Sequence, residues 1–207
     1  MTRRAMYTPL RTLGVLVAVT LVAAGCAGSS AHVRIEPGFP TVVAQPREIH
    51  AAVVFQQPFR DFVAQTDAKT SIDIGAAQVE LLGNAFRGLF SRVDIVSARE
   101  QLAPGTELVI IPSVREVQLS SPSESYLNVF EVWIKYALEI ETGEGVPIDT
   151  WFLPAYGKTQ DSMLTSRSEG IEEAAIVALR DAGAKLLLDF YRIPAIHGWF
   201  ERERQTG

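Results

Sequence analysis

The 207-residue sequence predicts an α+β domain: one mixed, mostly antiparallel β-sheet of four to five strands, with two amphipathic helices packed on one face. Three patterns carry this reading. Between Phe130 and Glu141 the chain alternates, with Phe130, Val132, Ile134, Tyr136, Leu138 and Ile140 on one face and Glu131, Trp133, Lys135, Ala137, Glu139 and Glu141 on the other. Successive strand side chains point to opposite faces, so one face of this long strand is buried and the other largely meets water. Two segments, about Asp73 to Phe90 and about Glu169 to Arg192, instead repeat apolar residues every three or four positions, as a helix with one apolar stripe does. The order is strand, helix, strand, strand, strand, strand, helix. Laying both stripes on the sheet's apolar face is the simplest way to bury them all.

The chain opens with a different kind of segment. Arg3, Arg4 and Arg11 flank an uninterrupted, weakly apolar run of 12 residues, Leu13 to Ala24. A spanning helix needs about 20 residues, so the run suits an export signal better than a permanent anchor. Small residues Ala23, Ala24 and Gly25 lead into Cys26, the only cysteine. Over these first 26 residues the chain resembles the bacterial lipoprotein family, with Ala23 where that family usually has leucine. The resemblance implies a signal peptide over 1–25, cleavage between Gly25 and Cys26, and acyl chains on Cys26 that hold the protein to a membrane. Two or more chains anchor stably where one is marginal. Ala27, rather than an aspartate, follows the cysteine. By the family's sorting rule this implies the periplasmic face of an outer membrane, or the outer face of the cytoplasmic membrane where no outer membrane exists. The alkylated thiol leaves the mature chain no internal disulfide.

Cleavage would remove three of the 19 basic residues and none of the 24 acidic ones, leaving a formal net charge of −8. That balance excludes nucleic acid as an expected partner and argues against electrostatic attachment to anionic head groups. Residues 26–46 are small, polar and broken by Pro37, Pro40 and Pro46, and read as a lipidated, flexible tether whose latter part, Phe39 to Val43, can dock on the domain. The domain is expected over 47–193, followed by a tail over 194–207.

Within the domain, Ile49 to Phe55 is a short apolar run that fits a buried central strand. Ser71 or Asp73 is placed to cap the first helix, whose stripe is Val79, Leu82, Phe86 and Leu89, with Gln78, Glu80, Asn84 and Arg87 mainly outside it. Val93 to Val96 follows as a strand, and a right-handed crossover makes the first two strands parallel. Glu107 to Leu119 is strand material in which Pro112 marks a bulge or an edge. A serine-rich loop, Ser120 to Ser125, precedes the long alternating strand. Thr142 to Gly145 is a turn, and Pro147 to Tyr156 returns as another strand. Ser166 with Glu169 has capping-box spacing before a helix whose inner stripe is Ile171, Ala175, Ala178, Ala182, Leu186 and Phe190.

Chemistry is sparse. His32, His50 and His197 are the only histidines, and none has the neighbours of a zinc site. There is no GxSxG elbow, nothing in the sequence places a serine beside a histidine, and no glycine-rich phosphate cradle is present. No cofactor, metal or catalytic residue is expected. Glu139, Glu141 and Glu144 read as a solvated acidic strand end. Exposed aromatics are more informative: Trp133 on the polar face of the long strand, beside Lys135, with Trp151 on the returning strand expected near it. Aromatic side chains on polar surfaces supply interface hot spots. Trp199 and Phe200 fit a tail that folds back over an open core edge.

In element order and size, residues 47–193 resemble small envelope lipoproteins such as the LPS-assembly lipoprotein and the YajG-like lipoproteins. This fold-level analogy implies a non-catalytic accessory that binds or positions a protein partner in envelope assembly or transport. Two alternatives remain open. One is a carrier of a small apolar ligand in a groove between sheet and helices, and the other a lipid-tethered envelope hydrolase.

Overall fold

The computed structural model describes residues 30–41, 45–125, 127–160 and 166–206; the export signal, Gly25 and Cys26 lie outside them. Along the chain the strands are Ala31–Arg34 (β1), Arg47–Val54 (β2), Val63–Gln65 (β3), Thr70–Asp73 (β4), Phe90–Val96 (β5), Leu108–Ser120 (β6), Val129–Thr142 (β7) and Pro147–Gln160 (β8). The helices are Gln57–Arg60 (α1), Gly75–Leu89 (α2), Pro122–Ser125 (α3), Arg167–Asp189 (α4) and Pro194–Thr206 (α5). Five strands form the mixed sheet in the order β5-β2-β6-β7-β8. β2 runs parallel to β5 and β6, while the longer β6–β7 and β7–β8 ladders are antiparallel. Both long helices, α2 and α4, pack against each other and against the sheet. The α+β architecture is the one the sequence predicts.

A second sheet, three-stranded in the order β1-β4-β3, extends that architecture and corrects the tether. β1 lies parallel to β4, and Ala31, Val33 and Ile35 are buried. Further on, the Phe39 N–H donates to Glu80 (3.2 Å) and its carbonyl accepts from Asn84 (3.1 Å) on α2. Residues 31–41 therefore belong to the folded body rather than to a flexible linker. The physical signal is a period-two run, with Ala31, Val33 and Ile35 inward and His32, Arg34 and Glu36 outward, masked by the flanking prolines.

α2 carries the expected stripe, with Leu82, Phe86 and Leu89 buried. Gln78, read as lying outside the stripe, is buried instead, because its amide donates to the Phe59 carbonyl at 2.6 Å and closes α1 onto the helix. Neither Ser71 nor Asp73 occupies the cap position, although Asp73 accepts weakly from the Gly75 N–H at 3.3 Å. In α4 the capping box forms in full: Ser166 accepts from the Glu169 N–H, and Glu169 accepts from the Ser166 N–H. The alanine stripe lets α4 come unusually close to β8. At Gly157 any Cβ would sit 2.1 Å from the Ala174 carbonyl, so only glycine fits there.

The core between sheet and helices is filled. Phe86, Phe90 and Phe190 meet edge to face, and Tyr136, Ile134 and Leu138 lie beneath α4 and α1. α5 closes one end of this core by burying Ile196, Trp199 and Phe200, while Arg47 stacks 4.2 Å from the Tyr191 ring and 4.8 Å from that of Phe200. The tail is thus a lid on the core edge. Pro112 lies past Ile110, the last β6 residue paired to β2, so it occupies an edge; the bulge comes later, between Val114 and Glu116.

Candidate partner-binding face

The odd-numbered residues of β7 point away from the helices. Trp133 is 48% exposed there, opposite Tyr156 of β8 and Gln118 of β6. The Trp133 and Tyr156 rings lie 4.2 Å apart between centroids, tilted by 40°. The Tyr156 hydroxyl donates to Glu131, and that bond to a carboxylate, with lesser help from burial, pushes the phenol up to about 12. Phe152, 51% exposed, and Pro154 continue the apolar strip along β8. Lys135 sets its ammonium 5.1 Å from the Phe152 ring centroid, a cation–π contact that keeps the charge at the strip's edge. Trp133, Lys135 and Pro154, with Glu116 and Gln118, line an open groove.

Trp133 and Lys135 are therefore brought together, but Trp151 is not with them. It lies opposite Leu138 on the inner face and meets Phe190 in a T-shaped contact at 6.4 Å. The parity of β8 depends on the length of its turn and on a register shift between Ile140 and Glu141, neither of which the residue types dictate. The aromatic partner of Trp133 is consequently Tyr156, with Phe152 further along the same face of β8, out of phase with Trp151.

The part of the same face nearest β2 is covered. Val54, Val109 and Ile111 form a second, smaller core with Val96 and Leu102, beneath the segment that joins β5 to β6. Arg99 of that segment pairs with Glu141, which is 8% exposed, so Glu141 is an enclosed ion-pair partner rather than part of a solvated acidic end. Glu139, two residues earlier, is exposed and pairs with Arg115 at 3.5 Å.

His50 helps fasten this cover. It is 9% exposed; Nδ1 donates to the Gly105 carbonyl at 3.0 Å, and Nε2 lies 2.6 Å from Asp94 Oδ2. With both nitrogens engaged, the ring has none left to serve as a base. A serine does lie beside a histidine: His32 Nδ1 is 2.7 Å from Ser71 Oγ, a cross-strand neighbour in β1 and β4. Strand pairing, invisible in the sequence, creates this contact, and among the described residues no carboxylate pairs with the ring to complete a triad. Among the described residues no cluster of ligands could hold a metal ion, and no helix is long and apolar enough to cross a membrane.

No family model matches the chain, and no curated protein is detectably similar in sequence. Solved structures share parts of its architecture. A minor lipoprotein from Acinetobacter baumannii is 14% identical, covering 74% of this chain and 95% of its own, with a TM-score of 0.41. PelC from Paraburkholderia phytofirmans, crystallised as a dodecamer, is 16% identical over 72% of this chain and 93% of its own, with a TM-score of 0.39. A chain from Caulobacter crescentus designated a lipoprotein is 15% identical over 57% of this chain and 80% of its own, at 0.36. These are similarities of fold too distant to assign family or activity.

Proposed function

We propose that the protein is a membrane-anchored, non-catalytic lipoprotein of the bacterial envelope. In this reading it binds a protein partner through the open half of its sheet, in envelope assembly or transport. The observation that carries the reading is the strip of Trp133, Tyr156, Pro154 and Phe152. Four ring-bearing side chains stand on a polar sheet face that none of the described segments covers there, while the segment joining β5 to β6 covers the β2 side of that face. The signal-like segment ending at Cys26 supports the anchor, and Ala27 supports an outer-membrane destination. The carrier alternative loses ground because the space between sheet and helices is filled by Tyr136, Phe86 and Phe190. The hydrolase alternative loses ground because His50 is fully engaged and, among the described residues, His32 has no carboxylate as a third group.

A photocrosslinkable residue at Trp133, compared with one at exposed Val177 on α4, tests this in intact cells. A discrete adduct specific to position 133, identified by mass spectrometry and lost in Phe152→Glu, is the expected result. Adducts that are absent, or equal at the two positions, would overturn the binding face.

A further inference from the structure

The folded body begins at Ala31, only five residues after Cys26. Five residue steps span at most about 18 Å when fully extended, because each contributes about 3.6 Å at most. β7 alone, 14 residues long, runs for about 45 Å at the usual rise per residue. A lipid on Cys26 therefore cannot leave the domain free to tumble: one end must face the bilayer, and it is the end where β1 starts.

Several contacts identify what else lies at that end. The Ala31 N–H donates to the Lys69 carbonyl at 2.9 Å, placing the β3–β4 turn beside the entry. Arg167, at the start of α4, reaches Thr70 Oγ1 (3.3 Å) and Asp67 (3.8 Å). Glu124 in α3 feels the charges of both Arg167 and Asp67, and β7 begins here opposite the end of β8. Between α3 and β7 stands Leu127, a large apolar side chain that is 58% exposed. Lys69, Lys158 and Arg167 stand at this end with Asp67, Glu124, Glu131, Glu169 and Glu173, so the described residues there share the negative balance of the mature chain. Docking there rests on the short leash and on apolar contact, not on attraction to anionic head groups.

We infer that the domain docks on its own membrane through this end, with Leu127 meeting the head-group region. This inference rests on lipidation of Cys26. The opposite end, formed by the β7–β8 turn and α5, then projects away from the membrane. Trp133, four residues beyond the start of β7, lies at most about 14 Å further from the bilayer than that start. The binding strip is thus membrane-proximal, and it suits a partner that itself sits at the membrane.

The test uses the full-length lipidated protein in vesicles of phosphatidylethanolamine and phosphatidylglycerol that carry a nitroxide on the head group. Leu127→Cys and Glu144→Cys variants each take one fluorophore, because an alkylated Cys26 cannot react. Emission from the position-127 label is expected to fall at least about twofold relative to nitroxide-free vesicles, as an interfacial site should, with position 144 unchanged. Equal quenching at both sites, on protein that sediments with the vesicles, would overturn the orientation. A second label on Cys26, with no sedimentation, would instead overturn the lipid anchor, and the orientation with it. A glycine–serine spacer of about ten residues inserted after Ala27 lengthens the reach to about 50 Å. It should abolish quenching at 127 without releasing the protein, and persistent quenching there would refute control by the short leash.

Discussion

The two halves of the sheet's outer face are built on the same strands yet end differently. Near β2 and β5 the outward residues are Val54, Val109 and Ile111, and the chain lays its own segment over them. Near β8 the outward residues are Glu116, Gln118, Trp133 and Tyr156, and none of the described segments covers them. The aliphatic half would be costly to expose, and it is closed within the monomer. The aromatic half tolerates water because its rings lie among carboxylates and a lysine, and it remains available. A face is thus divided between core and surface by the kind of apolar residue it carries, not only by how many.

That comparison can be broken by mutation. The largest effect is expected beneath the open half. Ile134→Ala removes a buried side chain and should lower stability by about 2–5 kcal/mol, measured as a denaturant midpoint. Trp133→Ala, one residue away on the outer face, should cost only about 1 kcal/mol, the worth of an aromatic pair. Equal losses would mean that Trp133 is part of a core.

On the closed half, Arg99→Ala leaves the Glu141 carboxylate enclosed without its cation and should cost about 1–3 kcal/mol. A neutral result would show that the cover is held by Leu102 and its neighbours alone.

The smallest effect belongs to the Tyr156–Glu131 bond. Because the folded phenol titrates near 12 against an ordinary 10, its contribution is complete below pH 10 and disappears as pH rises through about 12. Tyr156→Phe should remove one phenolate step near pH 12 from the ultraviolet titration. A step already complete near pH 10 would show the bond absent in solution.

Much of the fold was legible because it rests on local periodicity. The β7 alternation, the α4 stripe and the Ser166 capping box all depend on residues within a few positions of each other. What escaped depends on distant pairing. β1 becomes a strand only by lying beside β4, 39 residues away at the His32–Ser71 contact, and its four-residue length leaves little pattern to detect. Gln78 becomes a core residue only because α1 offers it a carbonyl. Trp133 and Lys135 were legible as a surface pair from β7 alone, whereas assigning Tyr156 rather than Trp151 to that surface required the β8 register.

One detail of the α4–β8 contact bears on how copies of the chain meet. The β8 edge is not left bare: Asp181 accepts from the Tyr156 N–H at 2.9 Å, and Lys185 donates to the Pro154 carbonyl at 3.0 Å. These two side chains, themselves paired at 2.7 Å, occupy backbone groups that a neighbouring strand would otherwise seek. If the protein is lipid-anchored as proposed, its copies are confined to two dimensions and collide often and in similar orientations, the conditions under which bare strand edges template fibrous stacking. The clip withholds that template over the stretch of β8 that carries Pro154 and Tyr156, so crowding there favours side-chain recognition over strand addition.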